Sequence, residues 1–199
     1  MMRNRIRLHF PDTDVLSRES AIFYVADFSE RTGSARKVEV HQTIPFCPLN
    51  PEKPMDCVEI KSEKSISIDF NIFSDDQFKD CNGKLIEHCE VCFFPTKNDS
   101  GSWVALMEIK DCKPKNISDY KDKVVDQIVS ATNIYRSKNI ITSHKVYGII
   151  AMPRCKVSFN NTIFGMPPIY KELKKKHKIL FAATNHVVII DDTNIKCIE

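Results

Sequence analysis

The sequence predicts an α/β protein with a central mixed β-sheet flanked by helices. Three observations support this class: alternating apolar residues over 65–73, a helical apolar period over 118–137, and short apolar runs late in the chain. From residue 65 onward, these signals follow the order β-β-β-α-β-α-β-β. Strands separated by helical segments are typical of an α/β domain with a mixed sheet.

The first 55 residues are predicted to form an N-terminal extension packed on this core. "SAIFYVADF" (20–28) fits either a buried helix or a strand, whereas "RKVEVHQTI" (36–44) alternates as a strand does. "IPFCPLNPEKP" (44–54) holds four of the ten prolines and is predicted to be loop. The boundary is therefore expected after this loop, which gives sections 1–55 and 56–199.

Three strands are predicted in the middle of the chain. Residues 65–73 alternate apolar and polar side chains, as a half-buried strand does. "HCEVCFFP" (88–95) and "SWVALMEIK" (102–110) are apolar runs on either side of the turn "TKNDSG". A polar connection with an Asn-Gly turn signal separates the first strand from the second. The three strands are expected to pair as a meander.

A helix is predicted over residues 118–137, packed on one face of the meander. Asn116 or Ser118 is the expected cap at its start. Apolar residues recur at helical spacing along the segment. These residues are Val124, Ile128, Ala131, Ile134 and Tyr135.

The last third of the chain is predicted to add three strands and one helix. "KVYGIIAM" (145–152) is a short apolar run suited to a buried strand, and "ILFAAT" (179–184) and "HVVIID" (186–191) are two more. "PPIYKELKKKHK" (167–178) begins with prolines, as a helix does. Its lysines are interpreted as a solvated helix face.

Composition fits a globular cytoplasmic protein. Hydrophobic residues make up 42% of the chain and charged residues 28%, with a formal net charge of +3. No N-terminal signal peptide is recognised, and no apolar stretch approaches the roughly 20 residues needed to span a bilayer. The eight cysteines are therefore expected to be reduced thiols.

The segment "CEVC" has the spacing of a zinc knuckle or a redox motif. Its flanks favour a strand, in which Cys89 and Cys92 would point to opposite faces. A second CxxC pair at zinc spacing is absent from the sequence. The two cysteines are interpreted as buried structural thiols, and His88 as a polar residue at a strand end.

Two acids and a lysine stand at the ends of the predicted hairpin. A hairpin folded about Asp99 pairs Cys92 with Leu106 and Glu90 with Glu108. Lys110 lies two residues after Glu108, so both side chains are on one face. Facing carboxylates repel each other unless a cation lies between them, and their oxygens suit Mg²⁺ or Mn²⁺. The alternative is a surface hairpin end with solvated, inert charges.

This arrangement resembles the PD-(D/E)xK nuclease superfamily, which has the restriction-endonuclease-like fold. The residues that carry the resemblance are Glu90 at the first acid, Glu108 and Lys110 in "EIK", and Gln127 on the following helix. The match covers roughly residues 65–155. It departs from the family in Glu90, where Asp is usual, and in Cys89, where the family has proline.

The resemblance implies a metal-dependent nuclease that hydrolyses phosphodiester bonds, with DNA as the expected substrate. Glu90 and Glu108 would hold Mg²⁺ or Mn²⁺, Lys110 would position or activate water, and Gln127 would complete the site. The basic residues expected to grip the nucleic-acid backbone are Lys113, Lys115, Lys121, Arg136 and Lys138. No membrane partner is expected, and a homodimer is left open. The alternative function is a decayed nuclease-like fold that binds nucleic acid or protein as a regulatory module.

Overall fold

The structure, a computed structural model, describes residues 1–28, 38–99, 101–165 and 167–198. Two β-sheets pack face to face, and helices cover the outer face of the larger sheet. Within the described residues, no helix combines the length and the apolar character needed to cross a membrane.

The described residues form strands, α-helices and two short 3₁₀ turns. The strands are β1 (Val15–Glu19), β2 (Ile22–Asp27), β3 (Val38–His41), β4 (Phe46–Cys47), β5 (Asn50–Pro54), β6 (Val58–Ser62), β7 (Ser67–Ile72), β8 (Val91–Pro95), β9 (Trp103–Ile109), β10 (Lys145–Ala151), β11 (Leu180–Ala183), β12 (His186–Ile189) and β13 (Ile195–Ile198). The helices are α1 (Met2–His9), α2 (Lys121–Ser137), α3 (Asn160–Phe164) and α4 (Pro167–His177), with 3₁₀ turns at Asp75–Gln77 and Pro114–Asp119.

The predicted mixed sheet is confirmed. Its six strands lie in the order β1-β7-β8-β9-β10-β11. Strands β7, β8 and β9 form the predicted antiparallel meander, and β10 and β11 then add in parallel. Because a parallel neighbour needs a crossover connection, α2 lies between β9 and β10 in the chain.

A second sheet of five strands, in the order β13-β12-β6-β2-β3, packs on the inner face of the first. The alternation in β7 explains the two faces. Ile68 and Phe70 are buried against the five-stranded sheet, whereas Asp69 and Asn71 meet the helices. Asp69 forms an ion pair with Arg3 of α1, and the Asn71 amide donates to the Tyr135 hydroxyl of α2.

Helix α2 packs on the six-stranded sheet through the predicted stripe of apolar residues. Val124, Ile128, Ala131 and Tyr135 are buried, and Ile134 is partly buried against the same cluster. Close packing against β10 depends on Gly148, because a Cβ there would lie 3.0 Å from Ile128 and 2.8 Å from Phe181.

The predicted cap of this helix is wrong. Asn116 and Ser118 lie inside the 3₁₀ turn, and the residue at the N-cap is Tyr120, which makes no side-chain capping bond. Pro114 at the start of the turn explains the difference, because its fixed φ begins a helical turn several residues early.

The N-terminal section contributes strands to both sheets. Residues 20–28, left open between helix and strand, contain β2, and the described part of 36–44 contains β3. The predicted loop 44–54 instead contains the exposed hairpin β4–β5, where prolines are tolerated because the strands lie outside the main sheets. Strand β1 pairs with β7 and β2 pairs with β6, and the division at residue 55 stays a prediction.

The later elements follow the predicted order with two additions. Strands β10, β11 and β12 and helix α4 fall within the predicted segments. The short helix α3 and strand β13 were not predicted. Both are only four or five residues long, too short for a periodic signal.

Candidate active site

The hairpin that carries the two acids has the predicted register. Cys92 lies opposite Leu106, and the ladder of paired residues begins at Val91 and Met107. Glu90 lies one step beyond it. Its N–H donates to the carbonyl of Met107 (3.0 Å), and its carbonyl accepts from the N–H of Phe73 (2.9 Å). The bond to Met107 is one residue out of register, as in a β-bulge, so the expected direct pairing of Glu90 with Glu108 is not part of the ladder.

Glu108 is a fully buried carboxylate at the end of a central strand. Its side chain is 0% exposed and forms an ion pair with the ammonium group of Lys110, whose side chain is 19% exposed. The ion pair confirms that the two residues share a face. Leu106, two residues earlier, belongs to the cluster under α2, so Glu108 continues the face that meets the helices.

Gln127 reaches the same region from α2. It is 1% exposed, which confirms its predicted position on the sheet-facing side of the helix. Its Nε2 donates to the carbonyl of His88 (3.0 Å). Its Oε1 is buried and has no hydrogen-bond partner among the described residues. A buried amide oxygen without a partner is costly, and such atoms are concentrated at functional sites and water positions.

His88 anchors the segment that leads into Glu90. The predicted strand-end position is close, because β8 begins three residues later, but the ring is fully buried rather than exposed. It stacks on Phe78 with ring centroids 4.0 Å apart. Its Nδ1 lies 2.7 Å from the Cys89 carbonyl oxygen, and its Nε2 lies 3.3 Å from Asp75 Oδ1. The fixed ring holds the backbone that Gln127 contacts.

Cys89 and Cys92 lie in one core cluster, so the expectation that they point to opposite faces is wrong. The period-two alternation does not extend to Cys89, because β8 begins at Val91 and the backbone shifts register at Glu90. Burial raises the pKa of the Cys89 thiol, and the charges of Glu108 and Glu90 raise it further. Burial also raises the pKa of Cys92, so both are neutral thiols at physiological pH.

Neutral buried thiols should neither bind zinc nor react with alkylating reagents. We expect purified protein to carry no stoichiometric zinc by elemental analysis. Iodoacetamide should label the exposed Cys81 and leave Cys89 and Cys92 unmodified until the chain is unfolded. One zinc per chain, or labelling of Cys89 at the rate of Cys81, would contradict a structural role.

The five basic residues predicted to grip nucleic acid divide into two groups. Lys113, Lys115 and Lys121 are exposed at or before the start of α2, the end of the sheet where Glu108 lies. Arg136 and Lys138 are 9 and 11 residues beyond Gln127, about 14 to 17 Å along the helix.

Arg136 and Lys138 have local partners at this far end. The guanidinium of Arg136 donates to the carbonyls of His177 (2.7 Å) and Lys178 (3.1 Å). The ammonium of Lys138 lies 5.2 Å from the ring centre of Phe10. The structure therefore does not bring these two residues to the acids.

Asp111 and Asn185, at the carboxyl ends of β9 and β11, were not among the predicted site residues. Asp111 forms an ion pair with Arg154 (3.6 Å). The Asn185 amide donates to the carbonyls of Met152 and Cys155 (2.9 Å each) and accepts from the Met152 N–H (2.8 Å). Their positions depend on strand order, for which a single sequence carries no signal.

The donor set suits a hydrated hard cation better than zinc. Mg²⁺ is commonly held by one or two carboxylates and several waters, and Glu90 and Glu108 are carboxylates. No group of three or more His, Cys, Asp or Glu side chains in the described ranges is placed to hold a metal ion. A cation held by Glu90 and Glu108 would therefore need water as its remaining ligands.

The sequence matches no protein-family model, and searches of curated proteins and of solved structures give no match. The resemblance to the nuclease superfamily therefore rests on Glu90, Glu108, Lys110 and Gln127 in this chain alone.

Proposed function

We propose that this protein is a metal-dependent nuclease that hydrolyses phosphodiester bonds in nucleic acid, with DNA as the preferred substrate. The observation that carries the proposal is the ion pair of Glu108 and Lys110, in which the carboxylate is 0% exposed and the lysine side chain is 19% exposed. Buried ion pairs contribute little net stability compared with apolar side chains. A buried carboxylate near the end of a central strand, paired with a lysine, is better explained by chemistry than by folding.

The position of the pair supports a cleft. Glu108 lies near the carboxyl end of β9, beside the parallel strands β10 and β11. In α/β sheets, ligands bind outside the carboxyl ends of parallel strands. The hairpin that carries the acids is followed in the chain by helix α2, the order on which the resemblance rests.

Each residue has a role in this proposal. Glu90 and Glu108 hold Mg²⁺ or Mn²⁺, which lowers the pKa of a bound water and offsets charge on the phosphate. Lys110, held beside Glu108, contacts the attacking water or a phosphate oxygen. Gln127 presents an Oε1 without a described partner and so can accept a hydrogen bond from water.

Digestion of nucleic acid tests the proposal. Single-stranded DNA, duplex DNA and RNA are incubated with the protein in Mg²⁺, in Mn²⁺ and in chelator. We expect cleavage of DNA in either metal and none in chelator. Absence of cleavage of all three substrates in both metals, by protein that melts cooperatively, would overturn it.

The second candidate function, a binding module with a decayed site, is favoured by the enclosure of Glu108. The carboxylate is 0% exposed and Lys110 already neutralises it, so a cation reaches it only if Lys110 moves. The Glu at position 90 in place of the usual Asp agrees with this candidate. It predicts that the protein binds nucleic acid in Mg²⁺ and never cleaves it.

Replacing Glu90 by Gln should separate metal binding from folding. The side chain is 5% exposed, so Gln keeps its shape and removes a buried charge. In chelator we expect the variant to be as stable as wild type or slightly more stable. At a Mn²⁺ concentration of 100 times Kd, wild type should gain about 2.7 kcal/mol, and the variant less. Thermal melts of wild type, Glu90→Gln and the exposed control Glu52→Gln measure this, and an equal Mn²⁺ shift in all three would remove Glu90 from the site.

A further inference from the structure

A groove with basic walls lies at the amino ends of β10 and β11, at the opposite end of these strands from Glu108. Its volume is about 710 Å³, and its floor is apolar, formed by Val146, Ile179 and Leu180. Five lysines line it, and we call it the lysine groove: Lys145, Lys171, Lys174, Lys175 and Lys178. Strand β10 pairs Lys145 with Trp103 and Ile150 with Glu108. The five intervening steps place the groove about 17 Å along the sheet from the acids.

The lysines of α4 lie on one face. Lys171, Lys174 and Lys175 follow the spacing i, i+3 and i+4, which places them in one stripe about 6 Å long, and Lys178 comes directly after the last helical residue. All four are exposed, and none makes an ion pair within the described part of the chain. Like charges at this spacing repel each other, so the lysine stripe lowers the stability of the helix.

The charge of this segment exceeds that of the whole chain. Residues 171–178 carry five lysines and one acid, Glu172, for a formal charge of +4 with His177 neutral, against +3 for all 199 residues. Burial lowers the pKa of His177, as do the nearby charges of Lys176 and Arg136, whereas Asp126 of α2 opposes them. Positive charge is therefore concentrated at this end of the sheet.

Helix capping does not account for the lysines. Cations are favourable at a helix C-terminus because they meet the last carbonyl groups. In this chain, Arg136 of α2 already donates to the carbonyls of His177 and Lys178. The lysine stripe therefore has no capping role among the described residues.

We infer that the lysine groove binds the phosphate backbone of a nucleic acid, apart from the candidate hydrolytic site. The spacing of Lys171, Lys174 and Lys175 suits the phosphates of a duplex, which rise 3.4 Å along the helix axis from one nucleotide to the next on each strand, so about two phosphates face these lysines. Val146 and Ile179 of the groove floor belong to the core cluster against which Leu173 of α4 packs.

Binding is tested in chelator, so the result does not depend on hydrolysis. Fluorescence anisotropy of a labelled duplex of about 20 base pairs is measured from about 50 to 200 mM salt. The groove variant is Lys174→Glu/Lys175→Glu. The matched control is Lys53→Glu/Lys196→Glu, which makes the same charge change at two exposed lysines on β5 and β13. Circular dichroism melts verify that both variants fold.

We expect the groove variant to bind at least about tenfold more weakly than the control. The slope of log K against log salt should fall by about 1.8, since two phosphate contacts are lost. Equal affinity of groove variant and control would overturn the inference. The inference would also be overturned if wild type bound phosphatidylserine vesicles more tightly than the duplex and the groove variant lost this vesicle binding. We expect the Glu108→Gln variant to lose cleavage and to keep wild-type binding of the duplex. This result would show that the lysine groove and the hydrolytic site act separately.

Discussion

Replacing Lys110 by Met should lower the free energy of unfolding by about 3 kcal/mol. Glu108 is 0% exposed, and its carboxylate forms an ion pair with Lys110. Removing one member of a buried pair leaves an uncompensated charge, which typically costs about 3 to 5 kcal/mol. The lower value is expected because the Lys110 side chain is 19% exposed and water can partly replace it. Urea denaturation measures the change, provided that the variant and wild type have the same m-value.

The double variant Glu108→Gln/Lys110→Met shows whether the loss comes from the charge. It removes both ions and keeps side chains of similar size, so we expect it to recover most of the lost stability. Lys61→Met, an exposed site on β6, should stay within about 0.5 kcal/mol of wild type. A double variant as unstable as Lys110→Met would mean that packing of the lysine stem, not the buried charge, causes the loss.

Replacing Glu108 by Gln should slow nucleic-acid cleavage by at least about a hundredfold. The amide keeps the size of the side chain but removes the charge proposed to hold the cation. The loss of stability should be smaller than in Lys110→Met, because the charge left behind is the Lys110 ammonium, whose side chain is 19% exposed and can reach water. Single-turnover rates in Mg²⁺ measure the effect, with Glu52→Gln as an exposed control of the same chemistry. Cleavage at the wild-type rate by Glu108→Gln would exclude this carboxylate from catalysis.

Five strands of the six-stranded sheet, β7 to β11, were predictable because their signals are local, whereas β1 was not predicted. The alternation of apolar and polar residues in β7 indicates that Phe70 packs between the two sheets and that Asn71 faces helix α2. The apolar stripe of α2 indicates which side of the helix is buried. It therefore also predicted correctly that Gln127 lies on the buried side. The hairpin register followed from the turn near Asp99, since a short turn fixes which residues of β8 and β9 face each other.

Features that depend on distant parts of the chain were not predictable. The five-stranded sheet pairs β6 with β12 and with β2, across long separations that periodicity does not report. The register shift at Glu90 depends on Phe73 and Met107 on two different strands, and it also moved Cys89 to the face of Cys92. Arg136 was recognisable as a cation, but its partners, two carbonyls at the end of α4, belong to an element 41 residues away.

The most direct test is the anomalous difference map of a crystal soaked in Mn²⁺. We expect one peak about 2.1 Å from a carboxylate oxygen of Glu108, with Glu90 as the second protein ligand and Lys110 moved from its ion pair. A map that shows Mn²⁺ elsewhere or nowhere, with Lys110 still paired to Glu108, would contradict a metal-dependent hydrolytic site in this protein.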